Sequence, residues 1–276
     1  MFMVALTRRG RLRRITASVL LGAVALLSAT ACGAGSSILD KDVLVIGVKP
    51  DQPGLGMKKA EGEFAGFDVD VAAYIARKLG KNARFVAVPS SEREKALMDG
   101  SIDLVVATYS ITPERKTKVA FGGPYYVAHQ DTLVRARESA VTGVRDLKGR
   151  KLCQVTGSNS WRRVKEERKI AVELVEAASY SECMSDLKAG KVDAVSTDDL
   201  ILAGFATSDL KIVNAPFTDE RYGVGIKAGD LDGCEAVNKA ITEMYLDGTA
   251  KKLLQEWFGK SGLALTFTVP QFEGCG

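Results

Sequence analysis

The apolar positions of this chain fall into short blocks that alternate between two periods. Val43-Leu-Val-Ile-Gly-Val48 is a continuous apolar run of the kind that forms a buried strand. Residues 67–80 follow with Val71, Tyr74, Ile75, Lys78 and Leu79 at helical spacing, and Gly80 closes the helix. A strand over 83–88, a helix over 92–98 and a strand over 103–107 come next. The series then begins again: strand 151–155, helix 160–167, strand 171–175, helix 181–189, strand 192–196. Strands alternating with helices predict βαβ units on a mostly parallel sheet, an α/β protein.

One stretch recurs almost literally. Leu97-Met-Asp-Gly-Ser-Ile-Asp-Leu-Val-Val106 matches Leu187-Lys-Ala-Gly-Lys-Val-Asp-Ala-Val-Ser196. Gly100 and Gly190 fit helix ends, where the backbone turns left-handed. Two similar series predict two α/β lobes. A strand over 222–227 and helices over 235–246 and 249–258 follow the second series. Residues 124–135 and 214–226 read as two extended crossings, so the second lobe (129–222) is an insertion in the first (43–128 with 223–276). The crossings form a two-strand hinge. Ligands of such sheets lie beyond the carboxyl ends of strands, which places a site in the cleft between lobes.

The net charge of +4 first suggests a nucleic-acid partner, but its distribution removes the hint. Arg8, Arg9, Arg11, Arg13 and Arg14 precede any acidic residue, and subtracting those five from +4 leaves −1 for the rest. An arginine-rich start, an apolar run over 19–27 and small residues up to Ala31 have the layout of an export signal, too short to span a bilayer. Because Cys32 follows directly, residues 1–31 resemble a bacterial lipoprotein signal, although Ala29 stands where leucine is usual. Cys32 would then carry the lipid, with 32–42 as tether, at the outer face of the membrane. A soluble secreted chain is the plainer alternative. Cys153, Cys183, Cys234 and Cys275 remain, an even number that suggests two disulfides in an exported chain. Of three pairings, Cys153–Cys183 with Cys234–Cys275 keeps each bond within one region. The absence of CxxC spacing and the single histidine, His129, argue against a metal site.

The segment Ala107-Thr-Tyr-Ser-Ile-Thr-Pro-Glu-Arg-Lys116 carries the clearest chemistry. Thr108 and Ser110 offer hydroxyls at a strand end. Thr112-Pro-Glu opens a helix with an N-cap and Pro at its first position, and Arg115 sits in that first turn. A guanidinium beside two hydroxyls at a helix start suits a carboxylate.

Gly66-Phe-Asp-Val-Asp70, Gly100-Ser-Ile-Asp-Leu104, Ser110-Ile-Thr-Pro-Glu-Arg115, Gly123-Pro-Tyr-Tyr126, Val155-Thr-Gly-Ser-Asn-Ser160, Val192-Asp-Ala-Val-Ser-Thr-Asp198 and Leu254-Gln-Glu-Trp-Phe-Gly259 appear in order over 43–262. Together they resemble the polar amino-acid solute-binding proteins of ABC transporters, family 3, with a periplasmic-binding-protein-like fold. The resemblance implies that Arg115, Thr108 and Ser110 bind the ligand α-carboxylate, and that Gly157, Ser158 and Asn159 donate backbone groups to it from the second lobe. It implies that Asp198 binds the α-ammonium, with Asp199 as the neighbouring alternative. Lys49 and Arg93 match the basic residues that hold a side-chain carboxylate in glutamate and aspartate members, which favours glutamate. The aromatic that usually stacks on the ligand is not evident in Asp51-Gln-Pro-Gly-Leu-Gly56. The implied partners are an amino acid and the permease subunits of an ABC importer, the protein acting as a monomer without cofactor or nucleic acid.

Two other classes compete. A dehydratase of the same fold needs a placed general acid or base. His129 lies in a crossing strand, and no nucleophile elbow, Walker loop or metal pair is visible. A sensor that signals to a membrane receptor or kinase would have the same cleft.

Overall fold

The computed structural model describes residues 37–275. The expected export segment, Cys32 and the tether as far as residue 36 lie outside the described residues. Among the described residues, no helix is long and apolar enough to cross a membrane.

The first series comprises β1 (Val43–Val48), a short antiparallel ribbon of β2 (Asp51–Gln52), β3 (Gly56–Ala60) and β4 (Glu63–Ala65), then α1 (Phe67–Lys78), β5 (Asn82–Ala87), α2 (Arg93–Met98), β6 (Leu104–Val105) and α3 (Pro113–Lys116). A 17-residue strand, β7 (Val119–Arg135), leads into the second series. That series holds β8 (Lys151–Val155), α4 (Ser160–Arg162), β9 (Glu173–Ala177), α5 (Tyr180–Ala189), β10 (Val195–Asp198), α6 (Asp199–Phe205) and β11 (Leu210–Ile212). The chain returns on β12 (Thr218–Lys227) and ends with α7 (Leu231–Leu246) and α8 (Thr249–Phe258). The ribbon and α6 carry no strong periodic signal: 56–65 is largely exposed, and 199–205 is too uniformly apolar to show a face.

The main sheet runs β10-β7-β12-β6-β1-β5, with β11 also on β7. β1 pairs in parallel with β5 and β6, as βαβ units require, but β12 is antiparallel to both β6 and β7. The sheet is therefore mixed, because the two crossing strands run in opposite directions between lobes. β7 pairs with β12 from Val119 to Gln130, then with β10 and β11 up to Arg135. One strand thus serves the first lobe with its first half and the second lobe with its last. Two of the three cores follow this division. Leu97, Tyr109 and Phe121 pack in one cluster and Val134, Leu152 and Val164 in another, while the largest cluster links Phe67 and Tyr125 to Val195 and Leu200. Each of these fully buried side chains contributes about 1.5–3 kcal/mol.

Gly190 has φ 76° and ends α5, while Gly100 has φ 77° just after α2, matching the expected helix stops. Disulfides join Cys153 on β8 to Cys183 on α5, and Cys234 on α7 to Cys275 near the C-terminus.

Candidate functional site: two arginines facing a carboxylate across a cleft

On the first-lobe side, Thr112 accepts a hydrogen bond from Arg115 N (3.2 Å) and Pro113 sits at the first helical position, so α3 starts as its sequence predicts. This holds the Arg115 guanidinium, 8% exposed, inside the cleft. Its Nη1 donates to Ser110 O (2.8 Å), its Nε lies 3.4 Å from Glu94, and its Cζ lies 4.8 Å from the centre of the Tyr109 ring. Arg93, at the start of α2, covers the same ring and is 2% exposed. Its four hydrogen bonds all go to backbone carbonyls: Ser90, Ala107, Thr108 and Gly157. Burial, and next the charge of Arg115, bring its pKa down to about 10, so it remains a cation at neutral pH.

Thr108 has φ 46°, a left-handed conformation rare for a β-branched residue. It is held there by Asp68, whose Oδ2 accepts the Thr108 N–H (2.8 Å) while Oδ1 accepts the Tyr125 hydroxyl (2.8 Å). Burial raises the Asp68 carboxyl to about 7 against those two bonds.

On the second-lobe side, β10 ends at Asp198, which is 4% exposed and accepts the Tyr222 hydroxyl (2.7 Å). Burial, and then the neighbouring charge of Glu220, push its carboxyl well above the ordinary range. Asp199 turns away: its Oδ1 accepts the Leu200 N–H (2.7 Å), and Asp198 is the one of the two that lines the cavity. Tyr180, Ser158, Ser160 and Thr197 form a chain of hydroxyls 2.7–3.1 Å apart along this wall.

The structure brings Arg93, Thr108, Ser110, Arg115, Ser158, Asn159 and Asp198 onto one small cavity, with about 20 Å³ of open space. Gly157 is not among the residues that line this cavity, and its carbonyl accepts from both Arg93 (3.0 Å) and Arg115 (3.2 Å). Two guanidinium groups converge on that point, and a carbonyl oxygen is the partner that satisfies them. Lys49 lies off this cavity, on an adjoining one of about 250 Å³ with Asp51 and Gln52. Its Nζ donates to Ser90 Oγ (2.6 Å), and Ser90 and Tyr180 line both spaces. Burial, then the charge of Arg93, hold the Lys49 amine well below the ordinary lysine range. Ser90, Ser160, Tyr180, Thr197, Ile201 and Glu220 line the arginine cavity without having been singled out in the sequence. A hydroxyl or carboxylate on an otherwise ordinary strand or helix gives no signal until the fold turns it inward.

The lobes touch across the cleft. Arg162 pairs with Glu114 (2.9 Å), and Ser181 Oγ donates to Asp51 O (2.9 Å). A family model, bacterial extracellular solute-binding proteins, family 3, matches residues 44–260. The chain belongs to this family. It is 36% identical over 275 residues to the glutamate-binding protein GluB of Corynebacterium glutamicum, covering 91% of this chain and 93% of that protein. It is 37% identical to the glutamine-binding protein GlnH of Bacillus subtilis, covering 80% and 83% respectively. Among solved structures, an ancestral arginine-binding protein bound to arginine superposes with TM-score 0.74 at 35% identity, covering 79% of this chain and 99% of that one. An ancestral amino acid-binding protein described as a precursor of cyclohexadienyl dehydratase gives TM-score 0.74 at 31% identity, covering 81% and 100%. These likenesses establish the two-lobed fold with its hinge and interlobe cleft, and they join this extracellular family to amino-acid binders. Among the described residues, no group of three or more His, Cys, Asp or Glu could hold a metal ion.

Proposed function

We propose that this protein captures an acidic amino acid, L-glutamate first, by closure of its lobes and delivers it to an ABC importer. In this reading the bodies 43–128 with 223–276 and 129–222 close about β7 and β12. Lipid on Cys32 holds the protein at the outer face of the cell membrane, where it acts as a monomeric carrier and not as an enzyme. The observation that carries the acidic ligand is Arg93: a buried guanidinium bonded only to carbonyls keeps its charge unneutralised. With Arg93 and Arg115 set against an ionised Asp198, and Glu220 set against its partner Arg163, the cavity and its counterion carry one surplus positive charge. An amino acid with a second carboxylate carries one surplus negative charge.

Arg115, Thr108 and Ser110 take the α-carboxylate, and Gly157, Ser158 and Asn159 close over it, the Gly157 carbonyl keeping its bonds from Arg93 and Arg115 in the closed form. Asp198 takes the ammonium. Arg93 takes the side-chain carboxylate, with Lys49 reaching it past Ser90. Each buried charge-assisted hydrogen bond of this kind contributes about 1.5–3 kcal/mol. The side chain extends towards the adjoining cavity, where Asp51 Oδ2 is buried without a partner among the described residues. That oxygen favours a second reading, glutamine, whose amide would donate to it. Competitive titration separates the two: glutamate binding tighter than glutamine supports the first, and the reverse order supports the second.

A further inference from the structure

We infer that Glu220 is a second carboxylate of the subsite for the ligand's ammonium group, with Arg163 as its fixed counterion. The inference rests on the amino-acid reading above. Glu220 and Tyr222 are two residues apart on β12, so they share one face of the strand. Tyr222 is bonded to Asp198, and Glu220, 3% exposed, lines the same cavity as Asp198. The strand therefore brings one hydroxyl and one carboxylate to the Asp198 side of the cleft.

The two Glu220 oxygens are unequally used. Oε1 accepts from Arg163 Nε (2.7 Å) and from Thr218 Oγ1 (3.1 Å). Oε2 has a single long contact, Arg163 Nη2 at 3.4 Å. A carboxylate offers about four acceptor positions, so Oε2 keeps capacity for a donor from the cavity. Arg163 is itself fixed: it starts a π-helical turn (Arg163–Glu167) and bonds Glu167 through Nη1 (2.7 Å). Such turns are uncommon and concentrate at functional sites.

The charges close around one ammonium. Asp198 and Glu220 carry two negative charges when ionised, and Arg163 neutralises one. Two buried carboxylates in one pocket oppose each other's ionisation unless cations sit between or beside them. Arg163 supplies one such cation permanently, and the ligand's ammonium supplies the other.

The test compares L-glutamate with glutarate, which lacks only the amino group, on wild type, Glu220→Gln and Arg163→Gln, by displacement of labelled glutamate at mildly alkaline pH. Melting curves confirm that each variant is folded. Glu220→Gln should weaken glutamate about tenfold and leave glutarate unchanged, lowering the glutamate preference. Arg163→Gln leaves the carboxylate without its counterion and should raise that preference. Opposite shifts support the inference. Equal losses for both ligands, an unchanged ratio, or shifts in the same direction overturn it, since a purely structural pair would produce one of these. A wild type that binds glutamine but not glutamate refutes only the acidic-ligand reading. The same ratio is then read with glutamine against glutaramic acid.

Discussion

Replacing Gly157 by alanine puts a methyl group where the lobes meet. A Cβ at this position would lie 2.5 Å from Ser91 N and 2.6 Å from Ser90 C and O, all backbone atoms of the opposite lobe. Backbone cannot swing aside as a side-chain tip does, so the lobes must part by about 1 Å there to restore ordinary contact. The bonds from Arg93 and Arg115 to the Gly157 carbonyl, now 3.0 and 3.2 Å, would then stretch beyond useful length. Loss of closed-state contacts worth about 2–3 kcal/mol weakens ligand binding roughly 30- to 150-fold. Alanine at φ +77° also costs about 1 kcal/mol, but in open and closed forms alike. The substitution should therefore lower affinity far more than it lowers the melting temperature of the unliganded protein. Calorimetric titration and thermal unfolding of the same preparation read both quantities. An affinity within threefold or so of wild type would refute the argument that this contact belongs to the ligand-bound state.

Arg115→Ala should abolish measurable glutamate binding while leaving a folded protein, and titration after a circular-dichroism check reads this directly. Burial and Glu220 raise the Asp198 carboxyl well above the ordinary range, and its protonated form cannot pair with an ammonium. Glutamate affinity should accordingly fall on acidification while pH is still above the usual carboxylate range, and Asp198→Asn should flatten that profile. Asp68 titrates at about 7 in the fold against 3.8 unfolded, so the folded state holds the extra proton between those values. Its contribution to stability is present below about 3.8 and lost as pH rises through 7, a slope worth up to about 4 kcal/mol. Asp68→Asn keeps an acceptor for Thr108 and should be more stable than wild type at pH 8 by denaturant titration. Cys153→Ser with Cys183→Ser opens a bridge spanning 30 residues, and the chain-entropy model predicts a loss of about 3–4 kcal/mol.

Much of this site was legible because its signals are local. The N-cap, proline and arginine of 112–115 predict their own helix start, and the repeat at 97–106 and 187–196 predicts two series without reference to distant contacts. The crossings were legible as extended segments, but their antiparallel pairing joins stretches far apart in the chain, from Thr218 with Gln130 to Lys227 with Val119. The missed features share a cause. Tyr180 and Thr197 face the cleft only because α5 and β10 are turned inward by Cys183, Leu187 and Val195 in the core. Glu220 resembles any charged residue in Asp219-Glu-Arg221 until strand alternation buries it. The distance of Lys49 from Arg115 was illegible for the same reason, since Ser90 and Tyr180 come between them only in three dimensions.

The most direct measurement is calorimetric titration of the chain lacking residues 1–32 with L-glutamate, repeated on Arg93→Ala. The account predicts one site per chain, saturable heat with wild type, and binding lost or switched away from acidic ligands in the variant. No heat with any common amino acid, or glutamate bound equally well without the Arg93 guanidinium, would contradict it.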